Sequence, residues 1–275
     1  MSMLDSIYAV DASHIADFQQ NGWVKLDGVL PEPDLAPHRD AIIGHTMGFA
    51  ESRGVVPMAQ RNTYGKAFIQ YSNLWAMHPD VAAFALAPRF AKIAADLMGV
   101  DSVRMYHDQA LFKEVGGGLT PWHQDQQYWP LDGAKCVTMW MPLIDCSKVM
   151  GTMRFANGSQ ALGYMGPLDI SDSSEQRLQN LIEEHGYPLG EAGDMLAGDA
   201  TFHDGWCIHG APGNASDAIR AVMTIIYVEA DAVVTVPDHI SRENDLKTWL
   251  PGLVPGDRVS SALNPVLWPA TIQSS

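Results

Sequence analysis

The chain has 275 residues, 47% of them hydrophobic and 18% charged, enough apolar material to bury a substantial core in one enzyme-sized unit spanning residues 1–275. Its formal net charge of −15 argues against nucleic acid or an anionic membrane surface as the main partner. No apolar run approaches the roughly 20 residues needed to cross a bilayer, no N-terminal basic stretch leads into a long apolar one, and Cys136, Cys146 and Cys207 form no Cys-x-x-Cys motif, so the expectation is a soluble, cytoplasmic protein with buried thiols.

Along the chain, His14 to Gln20 reads as a short helix and Gly22 to Leu26 as a first strand. Pro31-Glu32-Pro33-Asp34 starts a second helix that runs to about Ser52. Residues 53–76 show no clear period and read as a long loop, whose Arg61, Tyr64 and Trp75 either line a pocket or are ordinary surface and core. Pro79 to Met98 is the strongest helix signal, ended by Gly99. From Val103 the period becomes two, with Met105, His107, Gln109 and Leu111 on one face of a strand and Tyr106, Asp108 and Ala110 on the other.

Residues 136–143 alternate Val137, Met139 and Met141 against Thr138, Trp140 and Pro142, and Gly151 to Phe155 suggests another short strand before the turn Asn157-Gly158-Ser159. Ser171 to Glu184 reads as a helical insertion capped by Ser173 or Ser174. Turn signals at Gly193-Asp194, Gly198-Asp199 and Pro212-Gly213-Asn214 separate short strands, and Ile219 to Glu229 is the clearest late one. Helices followed by a mostly β region predict an α+β chain whose catalytic core is an antiparallel sandwich or jelly roll.

His-x-Asp occurs three times. His38 and Asp40 fall in a helix, where residues two apart face different directions, and His78-Pro79-Asp80 reads as a helix start. His123 and Asp125 follow a Gly-Gly-Gly turn and Pro121 in a strand-like region, where residues two apart share a face and can reach one metal. The adjacent pairs His107-Asp108 and His203-Asp204 would point to opposite faces, so each reads as structural. With His209 and Arg220, the pair His123 and Asp125 completes two imidazoles, a carboxylate and a guanidinium, the parts of a mononuclear iron oxygenase that uses a 2-oxo acid.

The run "HDQALFKEVGGGLTPWHQDQQYW" from His107 to Trp129 resembles the metal-binding segment of the phytanoyl-CoA dioxygenase (PhyH) family of Fe(II)/2-oxoglutarate oxygenases. The resemblance continues in order through Gly151, "ANGSQ" at 156–160, "GDATFHDGWCIHGAPGNAS" at 198–216 and Arg220, and includes the opening "FQQNGWVKLDGVL" at 18–30. It implies a double-stranded β-helix, a cupin-like jelly roll flanked by N-terminal helices, that uses Fe(II), 2-oxoglutarate and O2. It assigns His123, Asp125 and His209 to the metal, as the catalytic centre, and Arg220 to the distal carboxylate of 2-oxoglutarate. Trp140 falls where the family places an aromatic beside the cosubstrate, and Gln109 lies on a strand leading into the site. Either residue is equally well read as packed core. Tyr128, Trp129 and Trp206 flank the ligands as substrate walls or core.

Many members of the family carry a small hydroxyl residue two positions after the distal histidine, where this chain has Ala211. Asp125 disfavours halogenation, since halogenating relatives lack that carboxylate. Scattered lysines offer no cluster for a coenzyme A phosphate, which favours a small metabolite or natural-product intermediate of secondary metabolism. The implied reaction is C–H activation with release of succinate and CO2, ending in hydroxylation or in desaturation, epimerisation or cyclisation. The alternative is a cupin-type non-oxidative metalloenzyme, an isomerase or hydrolase, with the same triad.

Overall fold

Two antiparallel sheets form a double-stranded β-helix wrapped on one side by helices. The structure is a computed structural model that describes residues 2–54 and 56–269, the side chain of Tyr64 lying outside that description. Helix α1 (Ala12–Asn21) opens on Asp11, whose carboxylate accepts from the His14 amide, and closes on Gly22 at φ 80°. Strand β1 (Trp23–Leu26) and helix α2 (Glu32–Ser52) follow as the sequence suggests.

The stretch after α2 is not one long loop. It holds a 3-10 turn at Met58–Gln60, α3 (Thr63–Ala67), β2 (Ile69–Ser72) and α4 (Leu74–Met77). Elements of three to five residues are too short to print a period on the sequence. The expected helix from Pro79 to Met98 is two, α5 (Pro79–Ala85) and α6 (Pro88–Met98), because Pro88 cannot donate to the ladder and forces Ala87 out of the helical region, to ψ 124°. Gly99 ends α6 at φ 64°.

The β region comprises β3 (Val103–Phe112), β4 (Thr120–His123), β5 (Cys136–Pro142) and β6 (Arg154–Ala156). Strand β6 starts three residues later than expected, because Gly151 instead takes φ 84° at the end of a 3-10 turn, where an added Cβ would lie 2.4 Å from the Pro212 carbonyl. Helix α7 (Asp172–His185) is capped by Ser171, with Ser174 bonding back to the Ser171 amide, so the cap lies before both expected serines. Then come β7 (Leu189–Glu191), β8 (Ala200–Asp204), β9 (His209–Ala211), β10 (Val222–Glu229), α8 (Ile240–Trp249) and β11 (Val266–Trp268).

The larger sheet runs β1-β8-β5-β10-β3, with β2 and β11 sharing the outer edge of β3, and the smaller runs β4-β9-β6-β7. One face of the larger sheet is covered by α6 and its neighbours: Val137, Met139 and Met141 of β5 bury against a core that includes Phe90, Ile93 and Leu97. The other face, with Thr138 and Trp140, lines a cavity. Among the described residues no helix is long and apolar enough to cross a membrane.

Strand β3 departs from simple alternation. Its pairing with β10 slips by one residue at Tyr106, since Ile226 faces His107 while Tyr227 faces Met105. Met105 therefore joins Ala110 and Phe112 in the helix-side core, and Tyr106 packs with Trp129 and Leu131. His107, Gln109 and Leu111 face the cavity, as expected, but without Met105.

Candidate active site

The cavity between the sheets measures about 430 Å³. His123, the last residue of β4, is the direct cross-strand partner of His209 on β9. The pairing sets their rings 4.2 Å apart. His123 Nδ1 donates to the Pro121 carbonyl at 2.7 Å and His209 Nδ1 to the Cys207 carbonyl at 2.9 Å. A carbonyl can only accept, so each proton sits on Nδ1 and each Nε2 keeps its lone pair for a metal.

Asp125 joins them by a different route from the one the sequence suggests. The strand ends at His123, and Asp125 sits at φ −66°, ψ −45°, opening a 3-10 turn at Gln126–Tyr128. Its Oδ1 lies 3.4 Å from His123 Nε2 and 3.5 Å from His209 Nε2. The three donor atoms fall within 4.8 Å of one another, a spread that a single ion bonded at about 2.0–2.2 Å can span. Burial raises the Asp125 pKa, but the imidazoles of His209, His123 and His203 gathered around it outweigh burial and hold the carboxyl well below its usual range. Burial, then His123 and His203, press His209 well below an ordinary histidine, so it is neutral and ready to ligate.

The second oxygen of Asp125 is held by the protein. Oδ2 accepts from Thr138 Oγ1 at 2.8 Å and lies 3.2 Å from His203 Nε2. His203 is 1% exposed and its Nδ1 has no partner among the described residues. Sequence reasoning set His203 aside because Asp204 is its neighbour. The two do diverge, yet His203 lies on the cavity face of β8 beside Thr138, its partner across the β5 ladder.

Arg220 precedes β10, bridges to Lys113 and is 2% exposed. Its Nη1 donates to the Gly151 carbonyl, its Nε has no partner, and its guanidinium carbon lies 5.3 Å from the Trp140 ring centroid. No carboxylate lies within 4 Å of it among the described residues. Burial lowers its pKa to about 10, which leaves it charged at neutral pH. Beside it, buried Lys113 donates to the Gly118 carbonyl at 2.6 Å and to Thr120 Oγ1 and the Pro212 carbonyl at 3.1 Å each. Burial, then Arg220, push Lys113 down to about 6. A charged, buried Arg220 with no carboxylate in contact makes this end of the cavity a place for an anion.

Thr120 is the ladder partner of Ala211 and also lines the cavity. It supplies a hydroxyl on the wall where position 211 lacks one. Trp140 and Gln109 both line the cavity, the latter accepting from the Gln70 amide. Tyr128 and Trp129 line the opposite end, whereas Trp206 packs on Tyr164 outside it. Arg61 pairs with Glu114 and Trp75 packs on the main core, so neither reaches the cavity, and Tyr64 lies outside the described side chains. The far wall is completed by Ser241, Asp245 and Trp249 of α8, which sequence reasoning did not single out.

His45, His78 and Asp80 also cluster, with His45 Nε2 2.9 Å from Asp80 Oδ2. The two imidazoles stack at 3.7 Å and 16°, so their in-plane lone pairs do not converge on one ion. By contrast, two neutral imidazoles with free Nε2 atoms, one fixed carboxylate and a buried guanidinium without a counter-ion fit a mononuclear metal beside a dicarboxylate.

A search of curated proteins finds no match. Among solved structures, the chain is similar to the non-haem α-ketoglutarate-dependent carbocyclase SnoK from nogalamycin biosynthesis, with TM-score 0.72 and 22% identity over 94% of this chain and 96% of that one. The epimerase SnoN from the same biosynthesis gives 0.73 and 22% over 93% and 97%, and EctD from S. alaskensis, solved with 2-oxoglutarate and 5-hydroxyectoine, gives 0.69 and 20% over 88% and 86%. These likenesses establish the jelly-roll fold. The sequence itself matches the model of the phytanoyl-CoA dioxygenase (PhyH) family over residues 18–222, a span that takes in β3, His123, Asp125, His209 and Arg220. The chain belongs to the phytanoyl-CoA dioxygenase (PhyH) family, and with it to the Fe(II)/2-oxoglutarate-dependent oxygenases.

Proposed function

We propose that this protein is an Fe(II)/2-oxoglutarate-dependent oxygenase that activates a C–H bond of a small metabolite or natural-product intermediate, with hydroxylation as its main outcome. The single domain of residues 1–275 would act in the cytoplasm, with a small molecule rather than nucleic acid or a membrane as its partner. One observation carries the reading: a buried arginine without a counter-ion shares a cavity with two neutral histidines and a fixed carboxylate. A non-oxidative metalloenzyme with the same triad leaves Arg220 without a purpose.

His123, Asp125 and His209 would hold the metal on one face, leaving the other positions open to ligands. Bound there, iron with 2-oxoglutarate supplies oxidative decarboxylation by dioxygen, yielding succinate and CO2, and the abstraction of a substrate hydrogen. Arg220 would bind the distal carboxylate, with Thr120 donating its hydroxyl proton to the same group while Lys113 donates to the Thr120 oxygen. Trp140 walls the site beneath Arg220 and keeps water from the ion pair. Gln109 adds an amide to the wall on the β3 side.

The test is succinate formation by anaerobically reconstituted protein given Fe(II) and 2-oxoglutarate and then oxygen. Turnover in wild type that His123→Ala and Arg220→Ala both abolish is the expected result. Absence both of turnover and of the visible charge-transfer band of chelated 2-oxoglutarate would overturn the reading. With substrate in hand, a hydroxylated product is expected, as against the ring closure or epimerisation of the two Sno proteins.

A further inference from the structure

The cavity is electrically lopsided. Among the described residues that line it, Arg220 is the only Lys or Arg, and it stands at the cosubstrate end. The opposite end is walled by His107, Tyr128, Trp129, Asp169, Asp245 and Trp249. Asp245, half-buried on α8, accepts from Tyr106 Oη at 2.8 Å through Oδ2 and from Trp249 Nε1 at 3.0 Å through Oδ1. Both donors are neutral, so the carboxylate is oriented without being neutralised. No Lys or Arg lies within 4 Å of it among the described residues. Arg242, one turn earlier on the same helix, is turned to Asp132 at 2.6 Å and Asp238 at 3.5 Å and stacks on Tyr164. Burial pushes Asp245 up to about 7, against the hydrogen bonds from Tyr106 and Trp249 and the smaller pull of the Arg242 charge, as befits a buried carboxyl with no ion-pair partner in contact.

A second observation points to a ligand at this end. His107 is 5% exposed, and its Nδ1 sits 3.4 Å from the Asp108 carbonyl while its Nε2 has no partner among the described residues. Burial pushes it down to about 4, so it is a neutral hydrogen-bonding group. Its ring stacks on Trp249 at 4.7 Å. Nearer solvent, Asp169 is exposed and held by the Ser241 hydroxyl. An anionic group placed here would meet two carboxylates, and the nearest cation, Arg242, is committed to Asp132 and Asp238 and does not line the cavity. A positive group would meet carboxylate and aromatic faces, the pairing that recognises ammonium ions.

We propose that the primary substrate is a cation, a protonated amine or quaternary ammonium, whose positive nitrogen is held by Asp245 within the aromatic wall of Tyr128, Trp129 and Trp249. The proposal rests on the oxygenase reading, because that reading makes this the substrate end. Nothing in family membership supplies it: the family match ends at residue 222, before Ser241, Asp245 and Trp249. The geometry also separates this chain from acyl-CoA chemistry, since the phosphates of that group require lysines and arginines that this wall does not present.

Three probes of nearly one shape test it: choline, its uncharged carbon isostere 3,3-dimethylbutan-1-ol, and the anion 3,3-dimethylbutanoate. Each is titrated anaerobically into the Fe(II)/2-oxoglutarate protein and followed by tryptophan fluorescence, with the charge-transfer band recorded in the same cell. Choline is expected to bind about tenfold or more tighter than the alcohol, with the butanoate weakest. Asp245→Asn should bring the choline-to-alcohol ratio to near one while leaving the alcohol and the band unchanged, and Asp245→Glu should keep the preference. Equal or tighter binding of the alcohol or the butanoate, no saturable binding of choline, or a preference that survives Asp245→Asn each overturns the proposal. Choline preference without the band removes the oxygenase reading and keeps the cation site; the band without the preference does the reverse.

Discussion

The two oxygens of Asp125 have different partners, and that division explains a residue that spacing hid. Oδ1 faces the two histidine Nε2 atoms, while Oδ2 is tied to Thr138 and His203. Partners of this kind hold a ligating carboxylate in one rotamer, and their loss typically costs about 10–100-fold in metal affinity. His203→Phe should therefore weaken Co(II) binding by about 10–100-fold, read by anaerobic absorption titration, with the fold unchanged; a loss under about threefold would make His203 a packing residue. Arg220→Lys keeps the charge but loses the planar fork, so half-saturation by 2-oxoglutarate should rise about tenfold while Co(II) affinity stays at the wild-type level. An equal loss of both would place Arg220 in the metal's support. The gathering of His123, Asp125 and His209, with Arg220 on the same cavity, was legible because the pattern asks for particular polar side chains at set positions. Thr120, Thr138 and His203 were not, because a threonine or histidine on a strand means something only once its cross-strand neighbour is known.

At the level of elements, legibility follows length and locality. Helix α2 printed its proline-led start, strand β5 its period and Gly99 its cap, because those signals lie within a few residues. The pairing of His123 with His209 joins positions 86 residues apart, which no local pattern encodes. Pro88 was a readable break that apolar periodicity on both sides obscured. Where the connection into α2 crosses the turn before β8, Gly198 takes φ 86°, accepts from the Leu30 amide at 3.0 Å, and leaves only 1.9 Å between an added Cβ and the Leu30 carbonyl. Gly198→Ala should cost about 2–4 kcal/mol in urea denaturation. Gly186→Ala, at φ 65° with nothing within 4 Å, should cost about 1–2 kcal/mol. Equal losses would mean that the left-handed backbone alone, and not the crossing, sets the cost at Gly198.

Across the whole molecule, buried titratable groups pull acid stability in opposite directions. His107 is held at about 4, below the 6.5 of a free histidine, so its contribution to stability is complete above pH 6.5 and is lost as the pH falls toward 4. Asp108 and Asp245, each raised by burial to about 7, act with the opposite sign and favour the fold as they gain protons below that value. His107→Gln removes only the first effect. In the metal-free protein, the variant should gain about 2 kcal/mol relative to wild type between pH 6.5 and 4.5, measured by urea unfolding at both values; parallel curves would show that His107 titrates normally. The slip at Tyr106 bears on how such a molecule changes over time. Omit that one position and the faces on either side still match, with Val103 and Met105 toward the helices and His107, Gln109 and Leu111 toward the cavity. Tyr106 is thus a surplus letter in the strand, and it is the one that reaches across to Asp245. Gain or loss of a single codon there would attach or release the substrate-side wall while leaving the reading frame of the cosubstrate wall intact.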